Sequence, residues 1–344
     1  MKKKISILGF TLAAAVLVGA LSGCGGTKTA EESGSGNQTQ TINIGTMNLV
    51  NGDLIARKEK LYEDTLGVNV NIVTFASGKD VNTALASGSI DVSELGTSPA
   101  ALGISSGLQY TVVGIGDIIG SAESLVVKKD AGIQSVNDLA GKKIATPFAS
   151  TAHYSLLNAL SLAGVNASDV ELLDMEADDI WAAWQRGDID GAYIWYPVQD
   201  ELLKDGGVVI TGSDKLAEQG IVTGDLVVAR NDFAKDHPEL VTKFLQALLQ
   251  ANDIYFNQPE TAYADVASVL GISQQDAKSQ ASQFTWLNAE QQLSEEYLGD
   301  GMAKTLKDTA DFLVEQKSIA SAPDLQTFQN AIDTSYLEKA KDNG

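Results

Sequence analysis

Two linked segments decide how this chain reads: IATPFASTAHYSLL, from Ile144 to Leu157, and AAWQRGDIDGAYIWYP, from Ala182 to Pro197. In the first, a short apolar strand runs into Thr146-Pro147, and Ser150-Thr151 stands directly before a helical run, Ala152 to Ala163. A helix N-terminus carries N–H groups without intrahelical partners and the positive end of the helix dipole. With hydroxyls added, the junction suits an oxyanion. The same residues also read as an ordinary N-cap. No GxxxxGK follows the strand, so the turn is not a phosphate loop.

Working outward, strands and helices alternate. Ile42, Ile44 and Thr46 predict a strand, Gly52 starts a helix carrying Leu54, Ile55, Leu61 and Leu66, and Val68 to Val73 predicts the next strand. Gly78 to Ala86 reads as a helix and Ile90 to Leu95 as a strand. Gly96-Thr97-Ser98-Pro99 follows, a second hydroxyl junction, with Ser98 as N-cap and Pro99 at the first helical position. Strands at 110–115, 124–128, 143–145, 170–173, 190–194 and 225–229 continue the pattern, and the rest is mostly helical. Pro238 to Phe256 carries Leu240, Val241, Phe244, Leu245, Leu248 and Leu249 on one stripe. Repeated strand-helix order with short connections predicts an α/β protein with largely parallel sheets. Two lobes are expected: 41–127 with 230–344, and 128–229, crossing near Lys128 and Asp225. The cleft between them is the default ligand site.

Of 344 residues, 45 are acidic and 24 are Lys or Arg, a formal net charge of −21. Nucleic acid is not an expected partner, because binding it needs clustered basic residues. Lys2 to Lys4, the apolar run Ile5 to Ala20 and Leu21-Ser22-Gly23-Cys24 together outline a lipoprotein signal peptide over 1–23. The end of that run resembles the lipobox, which implies cleavage before Cys24 and lipid on Cys24. A plain transmembrane anchor is the competing reading, but the run is short of the ~20 residues a spanning helix needs. Residues 24–40, rich in Gly, Ser, Thr and Gln, are expected to be a disordered tether. Cys24 is the only cysteine, which excludes a disulfide, a second thiol and a cysteine metal site. An acidic body is expected to meet the membrane only through the lipid.

STAHYSLL and AAWQRGDIDGAYIWYP, with GTSP upstream and GDLVVAR downstream, closely resemble the taurine-binding branch of the sulfonate/nitrate/taurine-type solute-binding proteins of ABC importers. The likeness spans about Thr41 to Glu239. It implies a type II periplasmic-binding-protein fold, with two α/β lobes joined by two crossing segments that close over the ligand. It further implies capture of taurine or a similar small aliphatic sulfonate outside the cell and delivery to a permease and its ATPase, by a monomer without a cofactor. Relatives bind other alkanesulfonates, thiamine-pyrimidine precursors or nitrate. The chain departs from the taurine-binding pattern at Ala152, where a second threonine is usual, at Asn51, where an acid is usual, and at Glu94, where an asparagine is usual. Each departure is expected near the ligand's polar groups.

On this reading Thr97 and Ser98 from one lobe and Ser150 and Thr151 from the other converge on a sulfonate. His153 and Tyr154 follow directly, and the resemblance places His153 toward the ligand, against its ordinary reading as a structural histidine. For an ammonium the candidates are Asp225 first, then Glu94, Asp190 and the rings of Trp195 and Tyr196, which suit cation–π contact. Asp188 and Asp190 also read as a solvated turn, and Trp181 and Trp184 as core. The other histidine, His237, stands apart at a helix start, so no histidine metal pair is expected. A lipid-anchored hydrolase lacks GxSxG and HExxH here. An extracellular sensor lacks a transmembrane signalling segment.

Overall fold

The structure, a computed structural model, describes residues 40–342. The expected signal peptide, Cys24 and the tether up to residue 39 lie outside the described residues. Gln40, assigned to the tether, belongs to the folded body: its side-chain amide meets His237 Nδ1 at 2.9 Å.

In chain order the strands are β1 (Thr41–Thr46), β2 (Asn69–Thr74), β3 (Val92–Gly96), β4 (Tyr110–Ile119), β5 (Glu123–Lys128), β6 (Lys143–Thr146), β7 (Glu171–Asp174), β8 (Gly191–Trp195), β9 (Gly207–Gly212), β10 (Gly224–Arg230) and β11 (Phe284–Thr285). They form two sheets, ordered β11-β4-β10-β3-β1-β2 and β7-β6-β8-β5-β9. β1 runs parallel to β2 and β3, and β6 runs parallel to β7 and β8. The antiparallel pairs all involve β10, β11, β5 or β9. An antiparallel strand inside each largely parallel sheet, β10 in the first and β5 in the second, is what two crossings between lobes produce, since each returning strand enters from the opposite direction.

The crossings fall one strand away from the sequence expectation. β5, placed in lobe one by the sequence, pairs with β8 and β9 in the second sheet. β10, placed in lobe two, pairs with β3 and β4 in the first. The chain therefore crosses at 120–122 and again just before β10. The two segments are tied together by the Ile119 N–H donating to Thr223 O at 2.9 Å.

Helix α1 (Gly52–Lys58) and α2 (Leu61–Leu66) replace the single helix expected there, broken where Lys60 takes a left-handed φ of 59°. Helices α3 (Gly78–Ser87), α4 (Thr97–Ser105), α5 (Thr151–Leu162) and α6 (Ala177–Arg186) follow strands as expected. Lobe one has a single large core, in which Ile42, Ile44, Val227 and Phe244 are buried. In lobe two, one core holds Leu125, Leu156 and Tyr193 and another holds Val126, Ile180 and Trp184. Trp184 is core, as expected, with its indole N–H on Asp205 at 2.8 Å. The C-terminal helices Pro238–Asn257 and Gly301–Glu315 return to lobe one. Among the described residues no helix is long and apolar enough to cross a membrane.

Candidate functional site

The C-terminal ends of β3 and β6 each feed a helix, and the two helix starts face each other across the lobes. α4 begins two residues earlier than its sequence suggested. Gly96, not Ser98, is the N-cap, and Pro99 sits in the first turn, where its missing N–H removes no helical bond. α5 begins as expected: the Ser150 hydroxyl accepts from the His153 N–H at 3.1 Å and donates to Pro147 O at 2.6 Å. Gly96 lets the two ends approach. A Cβ there would stand 2.6 Å from Thr151 Cγ2, so a side chain at 96 would hold the lobes apart. Above this contact Tyr154 of α5 packs edge-on against Phe312 at 5.4 Å.

A cleft of about 440 Å³, partly open to solvent, lies at this junction. Gly96, Pro99 and Asp225 line it from lobe one, and Glu123, Ser150, Thr151 and Trp195 from lobe two, with Met47, Leu49 and Phe284 as apolar wall. Of the residues singled out from sequence, Ser150, Thr151, Trp195 and Asp225 thus meet at one place. Their hydroxyls differ in availability. Ser150 is spent on its cap, and Thr151 Oγ1 donates to Glu123 Oε1 at 2.6 Å. The buried Thr97 and Ser98 hydroxyls have no hydrogen-bond partner. A buried hydroxyl left unsatisfied is unfavourable unless a ligand supplies the acceptor, and both belong to the first turn of α4.

Other expectations shift. His153 does not line the cleft: its ring stacks on Phe148 at 4.3 Å, its Nδ1 lies 3.4 Å from the Ala149 N–H, and burial lowers its pKa to about 4. Glu94 also misses the cleft. It accepts from Asn51 Nδ2 at 2.6 Å and lines a separate small cavity with Gly52 and Gly116. Two of the departures, Asn51 and Glu94, therefore hydrogen-bond to one another, while the third, Ala152, is buried in the lobe-two core. Asp190 accepts from the Lys143 N–H at 2.8 Å and Asp188 pairs with the exposed Arg186, so both serve the turn. The Tyr196 hydroxyl accepts from Gln283 at 2.7 Å and Tyr196 packs with lobe one.

The sequence reading missed Glu123 and Asp117. Glu123 faces the cleft, and a second donor, Ser213 Oγ, reaches it at 3.1 Å. Burial pushes its carboxyl up to about 7 against the pull of these hydroxyls. Asp225, also lining the cleft, is raised by burial to about 7. Behind it stand Asp117, with neither carboxylate oxygen partnered, and Glu94, with one oxygen unpartnered. Burial first, and then the neighbouring carboxylates, hold both well above the usual range. Asp53 completes the group and pairs with Arg57 at 2.9 Å. Among the described residues no ion pair reaches Glu94, Asp117, Glu123 or Asp225, and no three of the acidic, histidine or cysteine side chains are placed to hold a metal. The signal available in sequence was one acid inside each otherwise apolar strand, GIGDII and ESLVV. The cleft thus brings two carboxyls and two helix N-termini together, groups that suit a small molecule carrying both a cation and an oxyanion.

Comparison with known proteins bears on which molecules those are. A family model described as NMT1/THI5 like matches residues 48–262. The taurine-binding periplasmic protein of Escherichia coli (strain K12) is 36% identical over 291 residues, covering 82% of this chain and 89% of that one. A putative aliphatic sulfonates-binding protein of Bacillus subtilis (strain 168) is 26% identical, with 93% of each chain covered. Among solved structures, the alkanesulfonate-binding protein SsuA from Xanthomonas axonopodis pv. citri, bound to MOPS, superposes with a TM-score of 0.72 at 22% identity, over 85% of this chain and 98% of that one. That likeness speaks for the fold alone: two α/β lobes of the periplasmic-binding-protein kind.

Proposed function

The chain belongs to the NMT1/THI5-like family, and on that footing we propose that it is the extracytoplasmic binding protein of an ABC importer, which captures taurine or a similarly small aminoalkanesulfonate and delivers it to a permease. The observation that carries this reading is the meeting of two buried carboxyls and two helix N-termini in one cleft. Asp225 and Glu123 line the same cleft as the α4 and α5 N-termini, and the first turn of α4 carries the unpartnered Thr97 and Ser98 hydroxyls. The sulfonate takes the helix ends, where partner-free N–H groups and dipoles already point. The ammonium takes the carboxyls. Trp195 and Phe284 supply apolar contact to the short carbon chain and shield both charge pairs from water. The sulfonate-binding relatives support the ligand class, and the 36% identical taurine-binding relative supports taurine in particular. Those relatives are binding proteins by name, and the reading assigns this chain no chemistry of its own. The protein works as a monomer held at the membrane by lipid on Cys24, with the tether bridging to the body.

An amine-free alkanesulfonate is the second reading, favoured by the hydrogen bond of Thr151 to Glu123, which already gives one cleft carboxyl a protein partner. Calorimetry on the tag-free protein separates the readings. Taurine is expected to bind well, ethanesulfonate at least tenfold more weakly, and β-alanine, sulfate and a thiamine-pyrimidine precursor more weakly still. Ethanesulfonate binding as tightly as taurine moves the assignment to amine-free sulfonates, and β-alanine matching taurine removes the sulfonate.

A further inference from the structure

The cleft's first carboxyl does not stand alone. Asp225 on β10 is the direct cross-strand partner of Asp117 on β4, so the two side chains leave the sheet on the same face, their Cβ atoms about 5 Å apart. Asp225's other partner is Gly96 on β3, and Glu94 sits two residues before it on that strand, on the same face. Gly116 makes room for the Glu94 carboxyl, since a Cβ there would lie 2.9 Å from Glu94 Oε1. Three adjacent strands therefore gather three buried carboxyls, Asp225 lining the cleft and Asp117 and Glu94 behind it.

Resting on the ligand reading above, we propose that Asp117 is a positioning residue that shares a proton with Asp225, and that an ammonium arriving at Asp225 replaces that proton, so that capture of an aminosulfonate releases a proton to solvent. Partnerless buried carboxyls packed side by side cannot all ionise, because each charge is desolvated and repels its neighbours. The surrounding groups do not relieve this. Glu123 across the cleft is another acid, and Asn51, which donates to Glu94 at 2.6 Å, offsets the burial of Glu94 and Asp117 only in part. Arg57 faces the cluster but pairs with Asp53, whose oxygens also accept from Tyr62 at 2.7 Å and from Thr46. Burial raises the titrations of Asp225, Asp117 and Glu94 alike, the direction a shared proton requires. In the exchange the O–H bond of one carboxylic acid breaks, its proton passes to a buffer base, and the ligand N–H donates to the carboxylate left behind. A sulfonate without an amine leaves the proton where it was. The set therefore discriminates by pH: below its titration, taurine affinity falls by about tenfold per pH unit for one exchanged proton, while ethanesulfonate affinity stays flat.

The test is taurine calorimetry near neutral pH in phosphate and in Tris, which differ in ionisation enthalpy, combined with infrared spectra of the carboxylic-acid C=O band with and without taurine. Expected are a buffer-dependent taurine enthalpy, a buffer-independent ethanesulfonate enthalpy, and a carboxylic-acid band that weakens on taurine addition. Asp117→Asn should cut the proton release by half or more while taurine still binds. Glu94→Gln serves as the second variant should Asp117→Asn fold poorly. Taurine binding without buffer dependence overturns the proposal, as does an empty wild-type protein with no carboxylic-acid band. An intact band with no taurine binding overturns the exchange by removing its ligand, and the band itself tells that failure from the others.

Discussion

Replacing Asp225 by Asn should make the empty protein more stable and the same protein a worse receptor. The carboxyl is 4% exposed, and burial raises its pKa from 3.8 to about 7. A carboxyl raised on folding adds stability that is fully present below its unfolded pKa and is lost as pH rises through the folded value. Asp225 therefore stabilises the empty protein least at alkaline pH, where the charge must be held in a site with no cation. Three decades between 3.8 and about 7 correspond to about 4 kcal/mol, an upper bound because Asp117 beside it can take over part of the shared proton. Asp225→Asn keeps the shape and deletes the charge. Urea denaturation followed by tryptophan fluorescence should show a gain of up to about 4 kcal/mol at about pH 8 and less than about 1 kcal/mol at about pH 4. Taurine binding at the higher pH should weaken by about 2 to 5 kcal/mol, the scale for breaking a desolvated charge pair. A variant that is destabilised at alkaline pH, or stabilised equally at both, refutes the strained-carboxyl argument. Unchanged taurine affinity refutes the role of Asp225 as the ammonium partner.

Three other outcomes follow from the same geometry. Thr97→Val or Ser98→Ala should weaken sulfonate binding by about 1 to 3 kcal/mol in calorimetry, with no loss of stability, since each removes a buried hydroxyl that lacks a partner. Gly96→Ala should hold the lobes apart and lower taurine affinity at least tenfold, with less compaction on ligand addition in X-ray scattering; Thr151→Ser, which removes the Cγ2 lying 2.6 Å from the added Cβ but keeps the hydroxyl, should restore closure in the double variant. Cys24→Ser should release the protein from the membrane fraction, and a variant that still fractionates with membrane in processed form contradicts lipidation at Cys24.

The parts of this site that local chemistry dictates were legible in the sequence, and the parts set by strand pairing were not. Ser150 could be read as a cap because a proline-bearing turn, a hydroxyl and a helical run stand in order, and the structure gives it that role. Ser98 was misread because Pro99 looks like a first helical residue, yet Gly96 in an extended conformation starts α4 earlier. The crossings were misplaced by one strand because Glu123–Lys128 and Gly224–Arg230 are equally apolar, and only pairing with residues far along the chain decides their sheet. The same non-local pairing hides the acid set. Asp117 and Asp225 are more than one hundred positions apart and become neighbours only because β10 inserts between β3 and β4. His153 was drawn toward the ligand by the family resemblance, but a helix turns its side chains about 100° per residue, and the imidazole ends against Phe148.

The most direct test of the proposed binding mode is a crystal structure of the protein with taurine. The sulfonate oxygens are expected at the N-termini of α4 and α5, within hydrogen-bond distance of Thr97 or Ser98, and the ammonium between Asp225 and Glu123. A taurine bound in the opposite sense, or one seated with its ammonium in solvent and both carboxyls unengaged, contradicts the account.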